Sequence, residues 1–197
     1  MSADRQHLRR SLYRLASSQA GYFTAAQALE IGYSYQAQKY HVDYGNWERV
    51  NRGIYRIPEW PVGLHDELVR WVLWSKGRAV VSHDSAAAAY GLGVANPSRV
   101  HLTVIPDFTM SDPHVVLYHR LLPDSDTSVL DGAAITTVER TVVDIIESHV
   151  DEEFIQAIVD DAVDTGSVTR RRLMRRLEEL SNPSRIRGER LLAGASK

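Results

Sequence analysis

"GYSYQAQKYHVDYGNWERVNRGIYRIP", residues 32–58, decides the fold. Ser34 stands before "YQAQKYHVDY", in which Ala37, Tyr40 and Tyr44 recur three or four apart, and Gly45 closes the stretch. That spacing predicts a capped helix with those three side chains on its core face. Tyr35, Gln36, Gln38 and Lys39 then point outward. After Trp47 the period changes. Arg49, Asn51, Arg52 and Arg56 alternate with Val50, Ile54, Tyr55 and Ile57 around Gly53, which predicts a β-hairpin with its tip at Asn51-Arg52-Gly53.

Upstream, Thr24 is an N-cap for "AAQALEI", which stops at Gly32. This short helix and the next form a helix-turn-helix pattern. A first helix, "RQHLRRSLYRLASSQ", carries Leu8, Leu12, Tyr13, Leu15 and Ala16 near helical spacing and ends by Gly21. Three helices followed by a hairpin predict a winged helix-turn-helix. Its chemistry suits DNA. Arg49, Asn51, Arg52 and Arg56 on the wing are expected to clamp the phosphate backbone, and arginine's planar fork matches phosphate oxygens. Tyr35, Gln36, Gln38 and Lys39 are expected to reach bases or phosphates, with Ser34 and the helix N-terminus holding a phosphate.

The net charge of −2 hides a partition. Residues 1–57 carry 8 Lys/Arg against 4 Asp/Glu, residues 58–168 carry 6 against 18, and residues 169–197 carry 9 against 3. A basic head suits a polyanion; the acidic middle suits a different partner. There are no cysteines, so disulfides and thiolate metal sites are excluded. No apolar run reaches membrane-spanning length, and "MSADRQHLRR" lacks the apolar core of a signal peptide. A cytoplasmic protein with no membrane partner is expected.

"PEWPVG" (residues 58–63) suggests a boundary, giving a DNA-binding domain over 1–58 and a mixed α/β domain over 59–197 with a basic C-terminal helix or tail. In the second domain "LHDELVRWVLWSKG" reads as an amphipathic helix, "AVVSH", "RVHLTVIP" and "HVVLYHR" as strands, and "VLDGAAITT" as a strand or pair. "SAAAAYGLG", "VERTVVDIIES", "EEFIQAIVDDAV" and "TRRRLMRRLEEL" read as helices, with Thr136 and Glu139 as a capping box for the second of these. The whole is an α+β fold.

Three landmarks together resemble the AbiEi family of antitoxins from type IV toxin–antitoxin systems: residues 21–58, then "AVVSHDSAAAAYGLG", then "ITTVERTVVDII". The resemblance implies an N-terminal winged helix that represses its own operon at promoter DNA, on inverted or direct repeats. It also implies an antitoxin domain that counters a cognate nucleotidyltransferase-type toxin, directly or indirectly. His83, Asp84, Glu139, Arg140 and Asp144, within the second and third landmarks, are the candidates for toxin antagonism.

The bland readings of these residues are strong. Ser82-His83-Asp84 are adjacent and cannot easily adopt the geometry of a hydrolytic triad; Ser82 as an N-cap and Asp84 at the positive helix end explain the segment. Arg140 and Asp144 have the spacing of a helix-surface ion pair. The "DEE" and "DD" clusters lack completing ligands, and the eight histidines show no ligand spacing, so neither metal nor cofactor is expected. Nor is there a Walker loop, a kinase glycine loop or an Asp-x-Asp pair. Any enzymatic activity, such as covalent modification of a toxin by phosphorylation, would use an atypical site. A winged-helix regulator with a ligand-sensing second domain is the remaining alternative.

Overall fold

A computed structural model describes residues 2–149 and 151–194. The fold is mixed α+β, and the chain divides into two compact units: Met1–Gly77 with Val129–Ala133, and Arg78–Ser128 with Ala134–Lys197.

The first unit opens with helix α1 (Ser2–Ser17), strand β1 (Tyr22–Thr24), helices α2 (Ala25–Ile31) and α3 (Tyr35–Asp43), and strands β2 (Glu48–Asn51) and β3 (Ile54–Arg56). This order, with an antiparallel sheet arranged β1-β3-β2, is that of a winged helix-turn-helix. Local chemistry sets each joint. Thr24 Oγ1 accepts from the Gln27 amide while the Thr24 amide donates to Gln27 Oε1, a complete capping box for α2. Gly32, at φ +118°, ends α2 in a conformation that only glycine adopts readily. Ser34 Oγ accepts from the Ala37 amide and starts α3. Leu12, Phe23, Ala28, Tyr33, Trp47 and Ile57 fill the core between these elements.

Helix α4 (Asp66–Trp74) belongs to this unit, where Val69 packs with Tyr22, Ile54 and Ala133. The break expected at residues 58–63 is therefore not where the units divide. That stretch is an internal turn, bridged by a buried ion pair between Arg56 and Asp66 at 3.0 Å. The return of residues 129–133 to the first unit likewise departs from two contiguous domains. There His65 Nδ1 lies 2.8 Å from Asp131, and a Cβ at Gly132 would stand 2.5 Å from the Ser18 carbonyl oxygen.

The second unit has a five-stranded sheet ordered β6-β5-β4-β8-β7, from strands β4 (Ala79–Val81), β5 (Val100–Val104), β6 (Val115–His119), β7 (Thr127–Leu130) and β8 (Ala133–Thr136). β4 pairs antiparallel with β5 and parallel with β8, and β5 pairs parallel with β6. Helix α5 (His83–Ala89) follows β4, and α6 (Val138–Ser148), α7 (Glu152–Asp164), α8 (Arg170–Leu177) and α9 (Asn182–Gly194) complete the unit. Ile145, Ile146, Ile155, Ile158, Leu173 and Leu177 are fully buried at its centre. Helix α9 escaped the sequence reading because Pro183 and Gly188 interrupt its pattern. Gly188 is there for space: a Cβ would meet Leu177 Cδ2 at 2.7 Å.

The expected Thr136–Glu139 capping box does not form. Thr137 caps α6 by accepting from the Arg140 amide. Thr136 Oγ1 instead lies 2.7 Å from Thr141 Oγ1 in the interior, and Glu139 pairs with Arg172.

Candidate functional site

The outer face of α3 differs from the expected one by part of a turn. Gln38 is 1% exposed. Its Nε2 donates to the carbonyls of Ala25 and Tyr33, both at 3.1 Å, so it ties α2 to α3 and is not available to a base. Tyr40 and Tyr44, expected in the core, are 53% and 70% exposed, and their rings pack at a tilt with centres 4.3 Å apart. Ser34, Tyr35, Gln36 and Lys39 are exposed as expected. Lys39 Nζ sits 2.6 Å from Asp43, a solvated pair of about 0.3–0.5 kcal/mol that a phosphate can replace.

The wing also sorts into two sets. Gly53, at φ +73°, and a register shift between Arg49 and Asn51 make the tip a bulged hairpin. Arg49 and Arg52 are exposed there, with no ion-pair partner among the described residues. Asn51 is half-buried and accepts from Arg70 Nη1 at 3.0 Å. Arg56 is buried; Nη2 donates to Asp66 and to the Pro61 carbonyl, and its guanidinium lies over Tyr22. It cannot clamp DNA backbone. Along β3 every second side chain turns inward, and Arg56 shares the inward side with Ile54.

In the second unit the residues of the Ser82-His83-Asp84 run go separate ways. Ser82 is the N-cap residue of α5 but makes no side-chain cap. Its Oγ accepts from Thr103 Oγ1 at 2.8 Å, which leaves its own proton for His83 Nδ1 at 2.9 Å. Asp84 lies 2.6 Å from His149 Nε2 rather than against His83, so no triad forms. His83 is held at φ +50° with its ring stacked 3.4 Å from Tyr118. Burial, then electrostatic repulsion involving His101, Arg140, Arg120 and His149, push its pKa from the ordinary 6.5 down to about 3. The ring lines a cavity of about 410 Å³ with Thr103, Tyr118, Arg120, Glu147 and Ser184.

This shift fixes a sign. The unfolded chain binds more protons at His83 between pH 3 and 6.5, so its contribution to stability is full above that window and lost as pH falls through it. A His83→Gln variant should therefore lose less stability than wild type between pH 6.5 and 4, as read by urea midpoints at each pH.

Arg140 and Asp144 are not a surface pair: both are buried, with Arg140 Nε donating to Asp144 Oδ1 at 2.9 Å. Burial opposes the Arg140 charge, but the hydrogen bond and charge of Asp144 outweigh it and raise its pKa. The network continues through Arg120, 3.5 Å from Asp144, and Asp126, 2.6 Å from Arg176. Of the antagonism candidates, His83 lines the cavity, Glu139 ties α6 to α8 through Arg172, and Arg140 and Asp144 pair within α6 and reach Asp126 and Arg120. Tyr118, Arg120 and Glu147 were missed, since no sequence spacing connects them with His83.

With this geometry in hand, the head of the chain has a counterpart among known families. Residues 10–58 match the AbiEi antitoxin family, described as transcriptional regulators. The matched segment runs from α1 through α3 and both wing strands, so the AbiEi resemblance holds over the winged helix. Among solved structures, the RV2827C protein of Mycobacterium tuberculosis is similar with a TM-score of 0.61 at 16% identity, over 98% of this chain and 78% of that one. At that identity the likeness is one of fold. No curated protein matches the chain. Among the described residues no helix is long and apolar enough to cross a membrane, and no group of three metal-ligating side chains occurs.

Proposed function

We propose that this chain is the antitoxin and autorepressor of a type IV toxin–antitoxin system, cytoplasmic and without a cofactor. In this reading the AbiEi-like head binds promoter DNA at repeated half-sites, and the second unit counters a nucleotidyltransferase-type toxin. The observation that carries it is the pair of exposed arginines on the wing, Arg49 and Arg52, without an ion-pair partner among the described residues, in one unit with a capped helix that exposes Tyr35, Gln36 and Lys39. Ser34 and the first turn of α3 offer backbone amides to a phosphate, and the head carries a basic excess.

Gln36 is the base reader of this set, because its amide can pair bidentately with adenine. Gln36→Ala should lose about 1–3 kcal/mol of discrimination at one base pair per half-site, and much less on scrambled DNA. Fluorescence anisotropy on the DNA upstream of the gene, against a shuffled duplex, reads this directly. Equal losses on both duplexes would remove Gln36 from base readout; equal wild-type affinity for both would remove sequence-specific repression.

The cavity behind His83 favours a second reading, in which the second unit senses a small ligand and the chain is a regulator without a toxin. Its volume, about 410 Å³, suits a metabolite. Co-expression with the neighbouring gene separates the two: growth arrest by that gene, relieved by this chain, supports the antitoxin, and a harmless neighbour supports the sensor.

A further inference from the structure

Two residues of α3 and the residue that caps its C-terminus are tyrosines that face away from the core: Tyr35 at 70% exposed, Tyr40 at 53% and the cap Tyr44 at 70%. Single exposed aromatics are ordinary. A grouped set is not, and here it is organised. Tyr40 and Tyr44 pack with ring centres 4.3 Å apart and planes tilted by 32°, and Tyr40 also packs edge-on against His41 at 5.6 Å. His41 in turn stacks on the buried Trp47 at 4.7 Å. The pair is thus backed by the core, and each ring has few torsions to lose when it is covered.

The occupant is argued from what surrounds the rings. At helical spacing Tyr40 follows Gln36 by one turn and Tyr44 by two, so the rings continue the face that carries the polar base reader. Lys39 neighbours Tyr40 on the helix, and Arg49 and Arg52 of the wing are exposed, with no ion-pair partner among the described residues. The one carboxylate of this face, Asp43, is held by Lys39. An aromatic strip on the helix that also carries Lys39, in a unit with exposed wing arginines, fits the major groove, where phosphates flank a single apolar group, the C5 methyl of thymine.

We propose that Tyr40 and Tyr44 form a thymine-reading surface, packing against C5 methyl groups in the major groove next to the base pair read by Gln36. This rests on the DNA-binding reading given above. The rings contribute selectivity for thymine over cytosine and, unlike an arginine contact, almost no salt dependence.

Uracil isolates the claim, since it lacks only the methyl and keeps the O4 acceptor. The DNA upstream of the gene is amplified once with dTTP and once with dUTP, and both duplexes are titrated with full-length protein. Wild type should bind the uracil duplex more weakly, by about 4-fold for each methyl contacted. Tyr40→Ala and Tyr44→Ala should bind thymine DNA more weakly and show a reduced uracil penalty, while Tyr40→Phe retains the penalty. Both positions are exposed, and far-ultraviolet circular dichroism checks that the variants fold.

Equal wild-type affinity for the two duplexes would overturn the inference while leaving DNA binding intact. So would a full uracil penalty that persists in the alanine variants. Wild-type protein that binds neither duplex would overturn the DNA-binding reading and this inference with it. A drop in molar mass by light scattering in Tyr40→Ala, with no uracil effect, would assign the face to self-association and also overturn the inference.

Discussion

Asp144→Ala is expected to destabilise the second unit by about 3–5 kcal/mol, the usual cost of removing one partner from a buried ion pair. The variant leaves the Arg140 guanidinium buried without its main acceptor, since the nearest alternatives, Asp126 and Glu147, lie at 3.8 and 3.9 Å. Arg120, also within 3.5 Å of Asp144, would lose part of its anchorage beside the cavity. The measurement is urea unfolding followed by far-ultraviolet circular dichroism. Replacing both partners with apolar residues, Arg140→Met with Asp144→Leu, should cost far less, because no buried charge is then left alone. If Asp144→Ala cost under ~1 kcal/mol, the buried network would not be a principal tie of the unit.

Arg56→Ala is the second large effect, and it separates two roles for one arginine. As a backbone clamp, Arg56 would leave stability unchanged and lower the salt dependence of DNA binding when removed. As the buried partner of Asp66 it should cost the first unit about 3–5 kcal/mol. DNA affinity would then fall only as far as the unit unfolds, and under conditions where the variant stays folded its salt slope should equal that of wild type. Thermal unfolding monitored by tryptophan fluorescence, paired with anisotropy titrations at several salt concentrations, distinguishes the two. A stable Arg56→Ala protein with a reduced slope would return Arg56 to the DNA contacts.

The order of elements was legible because it rests on local chemistry. Thr24 with Gln27, Gly32 and Ser34 set helix boundaries through contacts of only a few residues, and Gly53 set the turn. Where the structure departs from the sequence pattern, the cause is a partner far along the chain. The spacing of α3 places its tyrosines inward, yet Phe23, Tyr33 and Trp47 already fill that space. The inward position goes to Gln38, which is acceptable there because two carbonyls accept from its amide. Arg56 is inward for a similar reason: Asp66 approaches from α4. The same limit applies to the second unit, where the cavity gathers Thr103, Tyr118, Glu147 and Ser184 from distant segments that only the folded sheet and helices bring together.

If the wing and α3 of the AbiEi-like head grip DNA as proposed, binding depends on salt through the wing arginines. Binding of full-length protein to the DNA upstream of its gene is measured from low to physiological salt, for wild type and for a variant carrying both Arg49→Ala and Arg52→Ala. Each phosphate contact contributes about 0.9 to the slope of log K against log salt, so the double variant should bind more weakly with a slope reduced by roughly two. An unchanged slope would show that the wing arginines touch no phosphate and would contradict the account.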